Sequence, residues 1–320
     1  MKLLFPLIMA AVLLIADKSY QNPVLNKNCP DPTVIHTEDG WFYLISTESH
    51  HQLPIYKSHN LVDWTFASSA FTREERPHFV HHGAIWAPDI NYINGKYVLY
   101  YAMSTWGGEW EAGIGVAVSD APAGPYHEAK KLLSSKEIGI KNCIDPFFIH
   151  DNGRNYLFWG SFSGIYGMEL TIDGTALMSG SKPVQVAGTF MEATYIHKHG
   201  DYYYLFGSAG TCCNGERSTY RITVGRSKDL FGPYVDRRGK RLLDNNYELV
   251  LHKGNGFVGP GHNAEIITDK VGNDWMLYHS YKTDNPSDGR VLLMDQIIWY
   301  DGWPAVERKE PSRKHSEPIF

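Results

Sequence analysis

The sequence predicts an all-β fold, a five-bladed β-propeller, on three observations. One motif order recurs five times, its strands are aromatic and alternating, and its spacing suits one blade per copy. A Gly-centred turn leads into a short aromatic strand at Gly40 (WFYLIS), Gly95 (KYVLYYAMS), Gly153 (RNYLFWGS), Gly200 (DYYYLFGS) and Gly272 (NDWMLYHS). These glycines lie 55, 58, 47 and 72 residues apart. Before each turn runs a short apolar segment: DPTVIH, PDINYI, DPFFIH, EATYIH and NAEIIT. A third run follows in most copies (LPIYKS, AGIGVAVS, GIYGMELT, STYRITVGRS, VLLMDQIIWY), often closed by a polar turn carrying Trp or Tyr, as in HNLVDWTF and KDLFGPYVD. Three or four strands per copy make a blade, and dividing the stretch from residue 22 to residue 307 by five gives roughly 57 residues each. A β-sandwich with coincidental aromatic strands gives no reason for the same order five times.

Residues 1–17 begin with Lys2 and then run apolar through LLFPLIMAAVLLIA, the pattern of a secretory signal peptide and too short for a membrane span. The expectation is an exported protein, periplasmic or extracellular, with a catalytic-sized propeller over 18–307 and a polar tail over 308–320, read as a loose end. A formal charge of -5 with no basic tract in the body argues against nucleic acid as a partner. Of the four cysteines, Cys29 and Cys143 stand two residues before an Asp in matching CPD and CID segments, and inert core thiols are at least as good a reading as a disulfide. Cys212 and Cys213 are adjacent, so they form a vicinal bridge or stay free.

In a propeller the innermost strands line a central channel, and their first residues converge on one mouth. Those starts supply Asp31, Asp89, Asp145, Glu192 and His262. Asp before Pro is a common turn starter, so any one of these acids alone reads as a cap. Gathered together they would repel and desolvate one another, which is kept more readily for chemistry or an ion than for stability. Paired carboxylates without a nucleophilic triad, phosphate loop or zinc motif suit glycoside hydrolysis, one acid protonating the leaving oxygen while another carboxylate activates water or attacks. Trp86, Trp106, Trp110 and Trp159 are candidates to stack on sugar faces, although most aromatics of such a chain must be core.

The segments NPVLNKNCPDPTVI, WAPDINYINGKYVLYY, NCIDPFFI, GSF at 160–162, MEATYI, CCNGERSTYRITVGRSKDLFGPYVD, GPGHNAEIITD and DGWPAV, in this order, resemble glycoside hydrolase family 43 over nearly the whole mature chain. The resemblance implies a five-bladed propeller that hydrolyses glycosidic bonds with inversion. It implies Asp31 as general base, Glu192 as general acid, and Asp145 as the residue that tunes and orients its partner. It also places Trp86, Asp89, Ser161 and Arg290 at or beside the sugar. His262 reads as a hydrogen-bonded structural histidine when taken alone; by resemblance it helps hold a central calcium ion, largely through water. His78, His81 and His82, like His50 and His51, have no metal-ligand spacing and read as loop residues.

For substrate, the CC…STY…VGRS stretch and GPGHN are similar to arabinanases, which cut α-1,5-linked arabinan. The opening NPVL…CPDP is closer to the β-xylosidases and α-L-arabinofuranosidases of the family, and Arg290 matches a sugar-contacting position of exo-acting members. The first expectation is an arabinose-releasing enzyme on an oligo- or polysaccharide, and a β-xylosidase is the second. A non-catalytic carbohydrate-binding propeller is the reading from another class. Against it stands the complete acid trio, which a pure binding protein has no reason to keep.

Overall fold

The computed structural model describes residues 18–48 and 53–320. The signal peptide expected over 1–17, and His50 and His51, lie outside the described residues. Five antiparallel sheets follow one another along the chain. Blade 1 is Thr33–His36, Phe42–Ile45, Pro54–Ser58 and Thr65–Ser69; blade 2 is Ala84–Ile93, Lys96–Ser104, Gly113–Ser119 and His127–Ser134. Blade 3 is Phe147–Asp151, Arg154–Trp159, Ile165–Leu170 and Val184–Ala187; blade 4 is Met191–His199, Tyr202–Ala209, Arg221–Ser227 and Glu248–Leu251. In blade 5 two short strands, Phe257–Gly261 and Ile266–Thr268, share the partner Asp274–Lys282, which continues into Val291–Tyr300 and Trp303–Ala305. The five turn glycines all have positive φ, and nothing lies within 4 Å of where a Cβ would sit. Backbone conformation, not crowding, therefore asks for glycine there.

Strand alternation explains the packing. The second strand of each blade is almost wholly buried, since both its faces meet neighbouring blades, and aromatic and aliphatic side chains fill those seams. Trp159 is part of that filling and fully buried, so it stacks on no sugar. Nothing in its segment distinguishes it from the mouth-facing tryptophans; only its place inside the strand does. Cys29 and Cys143 are buried free thiols, the core-thiol alternative of the two readings.

A ring of hydrogen bonds joins the inner strands around the channel. Ile90 N–H donates to Thr33 Oγ1 (3.2 Å), Phe148 N–H to Asp89 Oδ2 (2.7 Å), Ile266 N–H to Tyr195 Oη (2.9 Å) and Val34 N–H to Glu265 Oε2 (2.7 Å). Each side chain thus satisfies a backbone donor of the next blade that no strand partner reaches.

The tail is not the loose end expected. Lys314–Ser316 pairs antiparallel with Ser19–Gln21, Lys270 N–H donates to Ile319 O (2.8 Å), and the Phe320 ring packs on Phe42 with centroids 4.6 Å apart. Beside this clasp, Tyr20 Oη donates to Met294 O (2.7 Å) and Leu25 bridges Leu292. The segment's charge hides its few anchors: backbone pairing, the buried Pro318 and the Phe320 ring.

Candidate active site

Each blade opens with the same backbone device. Asp31, Ala87, Asp145, Ala193 and His262, one per blade, all take φ between 43° and 58°. Such left-handed non-glycine residues cost roughly 1–3 kcal/mol each. In blades 2 and 4 the strained residue sits in a register shift of the inner strand, between Trp86 and Asp89 and between Glu192 and Tyr195; in blade 5 the shift, between Val258 and Gly261, ends just before His262. Bulges of this kind turn a strand's first side chains toward the mouth. Asp31, Asp145 and His262 carry their side chains on the strained residue itself, and Glu192 stands one position before it. Asp89 stands two positions beyond, so it does not line the mouth cavity.

The mouth opens into a cavity of about 690 Å³ that brings together Asp31, Asp145, Glu192, His262, Trp86 and Arg290. Ser161 lies there too, together with Trp106, which is 80% exposed. Trp110, although exposed, is not in the cavity wall, and neither are His78, His81 and His82, which occupy a loop of blade 2. Cys212 and Cys213 are bridged to each other at the cavity edge.

Asp31 is gripped on both oxygens. Arg290 Nη1 donates to Oδ1 (2.9 Å), His262 Nδ1 lies 3.1 Å from the same oxygen, and Thr47 Oγ1 donates to Oδ2 (2.6 Å). Burial opposes the charge, but Arg290 and then His262 outweigh it and hold the carboxyl well below its ordinary range. The same bond works on the histidine: burial alone would lower His262, yet Asp31, Asp145 and Glu192 raise it. His279 differs. Burial and Arg290 hold it well below its usual range, and its Nδ1 accepts the Asp31 backbone N–H at 3.1 Å.

Glu192 receives Ser161 Oγ–H on Oε2 (2.6 Å) and Tyr220 Oη–H on Oε1 (2.8 Å). Both bonds favour the charged form, as does His262, but burial is the larger influence and with Asp31 leaves Glu192 raised. A proton on Glu192 requires one of these hydroxyls to turn and accept, which the Ser161 rotor permits. Asp145 Oδ2 accepts the N–H of Ala193 (3.0 Å), tying this acid to the backbone beside Glu192. Burial first, then Glu192 and Asp31, push Asp145 up to about 7 against the pull of His262. After burial, the charge that raises Glu192 is that of Asp31, and Asp145 is coupled to it through their mutual repulsion. Asp31 ionises readily while Glu192 and Asp145 hold their protons to higher pH than an ordinary carboxyl, so one cavity pushes its acids apart.

Asp89 has a different setting, in the channel below. Its carboxyl accepts Phe148 N–H and Asn91 Nδ2–H (2.8 Å) and is hydrogen-bonded to Glu265. Burial first, then each other's charge, hold Asp89 well above its ordinary value, and burial raises Glu265 as well. Two buried carboxyls without a cation share a proton.

Sequence reasoning missed Thr47, Tyr220, Glu265 and His279 as partners of these acids. A signal existed for some of them. Every copy's aromatic strand ends in Ser, at 46, 104, 161, 208 and 280, and all five are buried at the mouth end. Ser161 binds Glu192 and Ser208 accepts the His262 N–H (2.8 Å); Thr47, next to Ser46, binds Asp31.

Known proteins are similar to this chain in sequence and fold. The model of glycosyl hydrolases family 43 matches residues 20–304. An extracellular exo-α-(1→5)-L-arabinofuranosidase of Cellvibrio japonicus is 32% identical, covering 88% of this chain and 86% of the relative. An extracellular endo-α-(1→5)-L-arabinanase of Bacillus subtilis is 31% identical, covering 88% of each. Among solved structures, the Cellvibrio cellulosa α-L-arabinanase complexed with arabinohexaose superposes with a TM-score of 0.80 at 30% identity, covering 88% of this chain and 96% of that one. A match of this extent, on a five-bladed frame whose blade entries gather three carboxyls, has one meaning: the chain belongs to glycosyl hydrolase family 43 and is a glycoside hydrolase.

Proposed function

We propose that this protein is an exported, inverting hydrolase of α-1,5-linked arabinan or its arabinose oligomers. Asp31 takes a proton from the attacking water, Glu192 protonates the leaving oxygen, and Asp145 holds the backbone at Ala193, beside Glu192, and is coupled to Glu192 in its protonation. The observation that carries the reading is the split between Asp31, held well below its ordinary range by Arg290 and His262, and Glu192, raised by burial and by Asp31. Arg290 contributes by fixing Asp31, and Trp86 and Trp106 line the path of the sugar. Export is supported by the apolar leader and by the extracellular relatives. The xylosidase reading has weaker support, because the relatives above are named for arabinan or arabinofuranoside.

A calcium ion fits beneath the acids, though not on His262 alone. His262 Nδ1 is committed to Asp31, whereas the buried Thr194 Oγ1, Asn263 Oδ1 and His279 Nε2 have no protein partner. Two are oxygens, and the third is the N–H of a neutral imidazole whose Nδ1 already accepts, so a hydrated, oxygen-seeking cation suits the set. When bound, it would offset the repulsion among the gathered carboxyls.

The test is hydrolysis of linear arabinan and of nitrophenyl α-L-arabinofuranoside and β-D-xyloside, with products sized and Glu192→Gln as control. Arabinose or arabinan oligomers, lost in the variant while sugar binding persists, support the proposal. Release of xylose alone, or binding of arabinan without cleavage, overturns it.

A further inference from the structure

The inner strand of blade 4 runs from Glu192 at the acid mouth to His197 and His199 near its far end. At about 3.3 Å per residue, seven residues put His199 roughly 23 Å from Glu192, at the opposite opening of the channel. Residues two apart on a strand share a face, and across the seam stands Asp274, first residue of the long strand of blade 5. One donor atom from each of His197, His199 and Asp274 lies within 4.8 Å of the others, the one such trio of histidine and carboxylate donors among the described residues.

The partners of these side chains are those of ligands held in readiness. Thr268 Oγ1–H (2.5 Å) and Trp299 Nε1–H (2.6 Å) each donate to a different oxygen of Asp274, fixing the carboxylate plane. The Trp299 indole also stacks on the His199 ring, centroids 3.7 Å apart and planes within 11°. Tyr195 Oη meets His197 Nδ1 at 3.2 Å, leaving Nε2 as the ligand atom of that ring. Hydrogen-bonded second partners that set ring orientation are the usual companions of metal-binding histidines. His199 Nδ1 and Asp274 Oδ2 are 3.8 Å apart, too far for a hydrogen bond. That gap is near the ligand-to-ligand edge of about 3.3 Å that bonds of about 2.0–2.1 Å give around a tetrahedral ion. Asp274 is buried while the His199 side chain is 43% exposed, so the trio opens to solvent on one side, where water completes the shell.

We propose that His197, His199 and Asp274 form a binding site for a divalent transition ion of the zinc class, clamping blade 4 to blade 5 at the end of the channel remote from the acids. Two imidazoles and one carboxylate favour such ions over calcium or magnesium, which seek oxygen. The site is thereby chemically distinct from the calcium position beneath the mouth and independent of the hydrolytic proposal.

The experiment is calorimetric titration of Zn²⁺ into the chelator-stripped full chain in millimolar calcium, which saturates oxygen-seeking sites. One zinc per chain with micromolar or tighter affinity is expected, with a zinc-dependent rise in Tm. His199→Gln, at a half-exposed position, should weaken binding by more than about 100-fold, and Trp299→Phe, which keeps the stack but frees Asp274, by about 10–100-fold. Glycosidase activity of both variants should match the parent. Absence of zinc binding by the parent, or parental affinity in His199→Gln, overturns the proposal.

Discussion

Two groups of buried carboxyls sit in this propeller's channel, and only one of them contains an acid that behaves oppositely to the rest, Asp31. At the mouth, Asp31 faces Arg290 and His262 while Glu192 faces hydroxyls, and the group opens to a cavity. In the channel, Asp89 and Glu265 face each other, and their remaining bonds go to Asn91, Thr33 and the backbone N–H groups of neighbouring blades. Burial raises the carboxyl pKa in both places. Only a cation placed beside one acid and not its neighbour separates a base from an acid, and only the mouth has one. The same residue type therefore means chemistry at one level of the axis and architecture at the next.

The largest break of this contrast comes from Asp31→Asn. It removes the ionised base, and kcat on arabinan should fall by about 10²–10⁴-fold, the usual worth of general acid or base catalysis, with circular dichroism and Tm near the parent. Rates within a few-fold of the parent would show that the base lies elsewhere. An intermediate effect is expected of Arg290→Gln, which takes the cation but not the carboxylate. Losing an opposite charge raises an acid by roughly 1–3 pH units, so the acidic limb of the kcat/KM profile should move upward by that order, and Arg290→Lys should restore part of it. An unmoved limb would mean that Arg290 only touches sugar.

The smallest effect belongs to Asp89→Asn, which sharpens the other side. Asp89 has a folded-state pKa above its unfolded value, so the folded chain binds more protons and wild-type stability falls as pH rises from the ordinary carboxylate range toward the raised value. An amide keeps acceptor and donor without that proton. The variant's Tm should change less between pH 4 and 8 and equal or exceed the parent's at pH 8, with unaltered kcat. A large loss of kcat would return Asp89 to the site.

The repeat was legible because its signals are local: a positive-φ glycine, an alternating aromatic strand, an acid at the blade start. Asp31, Asp145 and Glu192 could be named for the same reason. Asp89 was misplaced because two residues beyond a bulge is a different level of the channel, and no sequence pattern marks where a strand slips by one. Trp159 and Trp106 look alike in the chain and differ only in whether a neighbouring blade covers them. The tail's docking rests on a short strand pairing, on the backbone bonds of Ile319 and on the Phe320 ring within a charged segment, too little for composition to register. The partners of the acids come from other blades, so only the closed ring assembles them.

Across blades 5 and 1 of that ring lies a separate two-stranded sheet, the pairing of Ser19–Gln21 with Lys314–Ser316. A blade can form as soon as its own strands have been synthesised, because its contacts are local, whereas this clasp joins segments from nearly opposite ends of the described chain and waits for the last of them. Asp31 and Arg290 are likewise far apart in the chain. The order of assembly should thus leave the proposed base out of position until the segments carrying Arg290 and Lys314–Ser316 have left the ribosome. A nascent chain stalled before Lys314 emerges is expected to hold native-like blades and no activity.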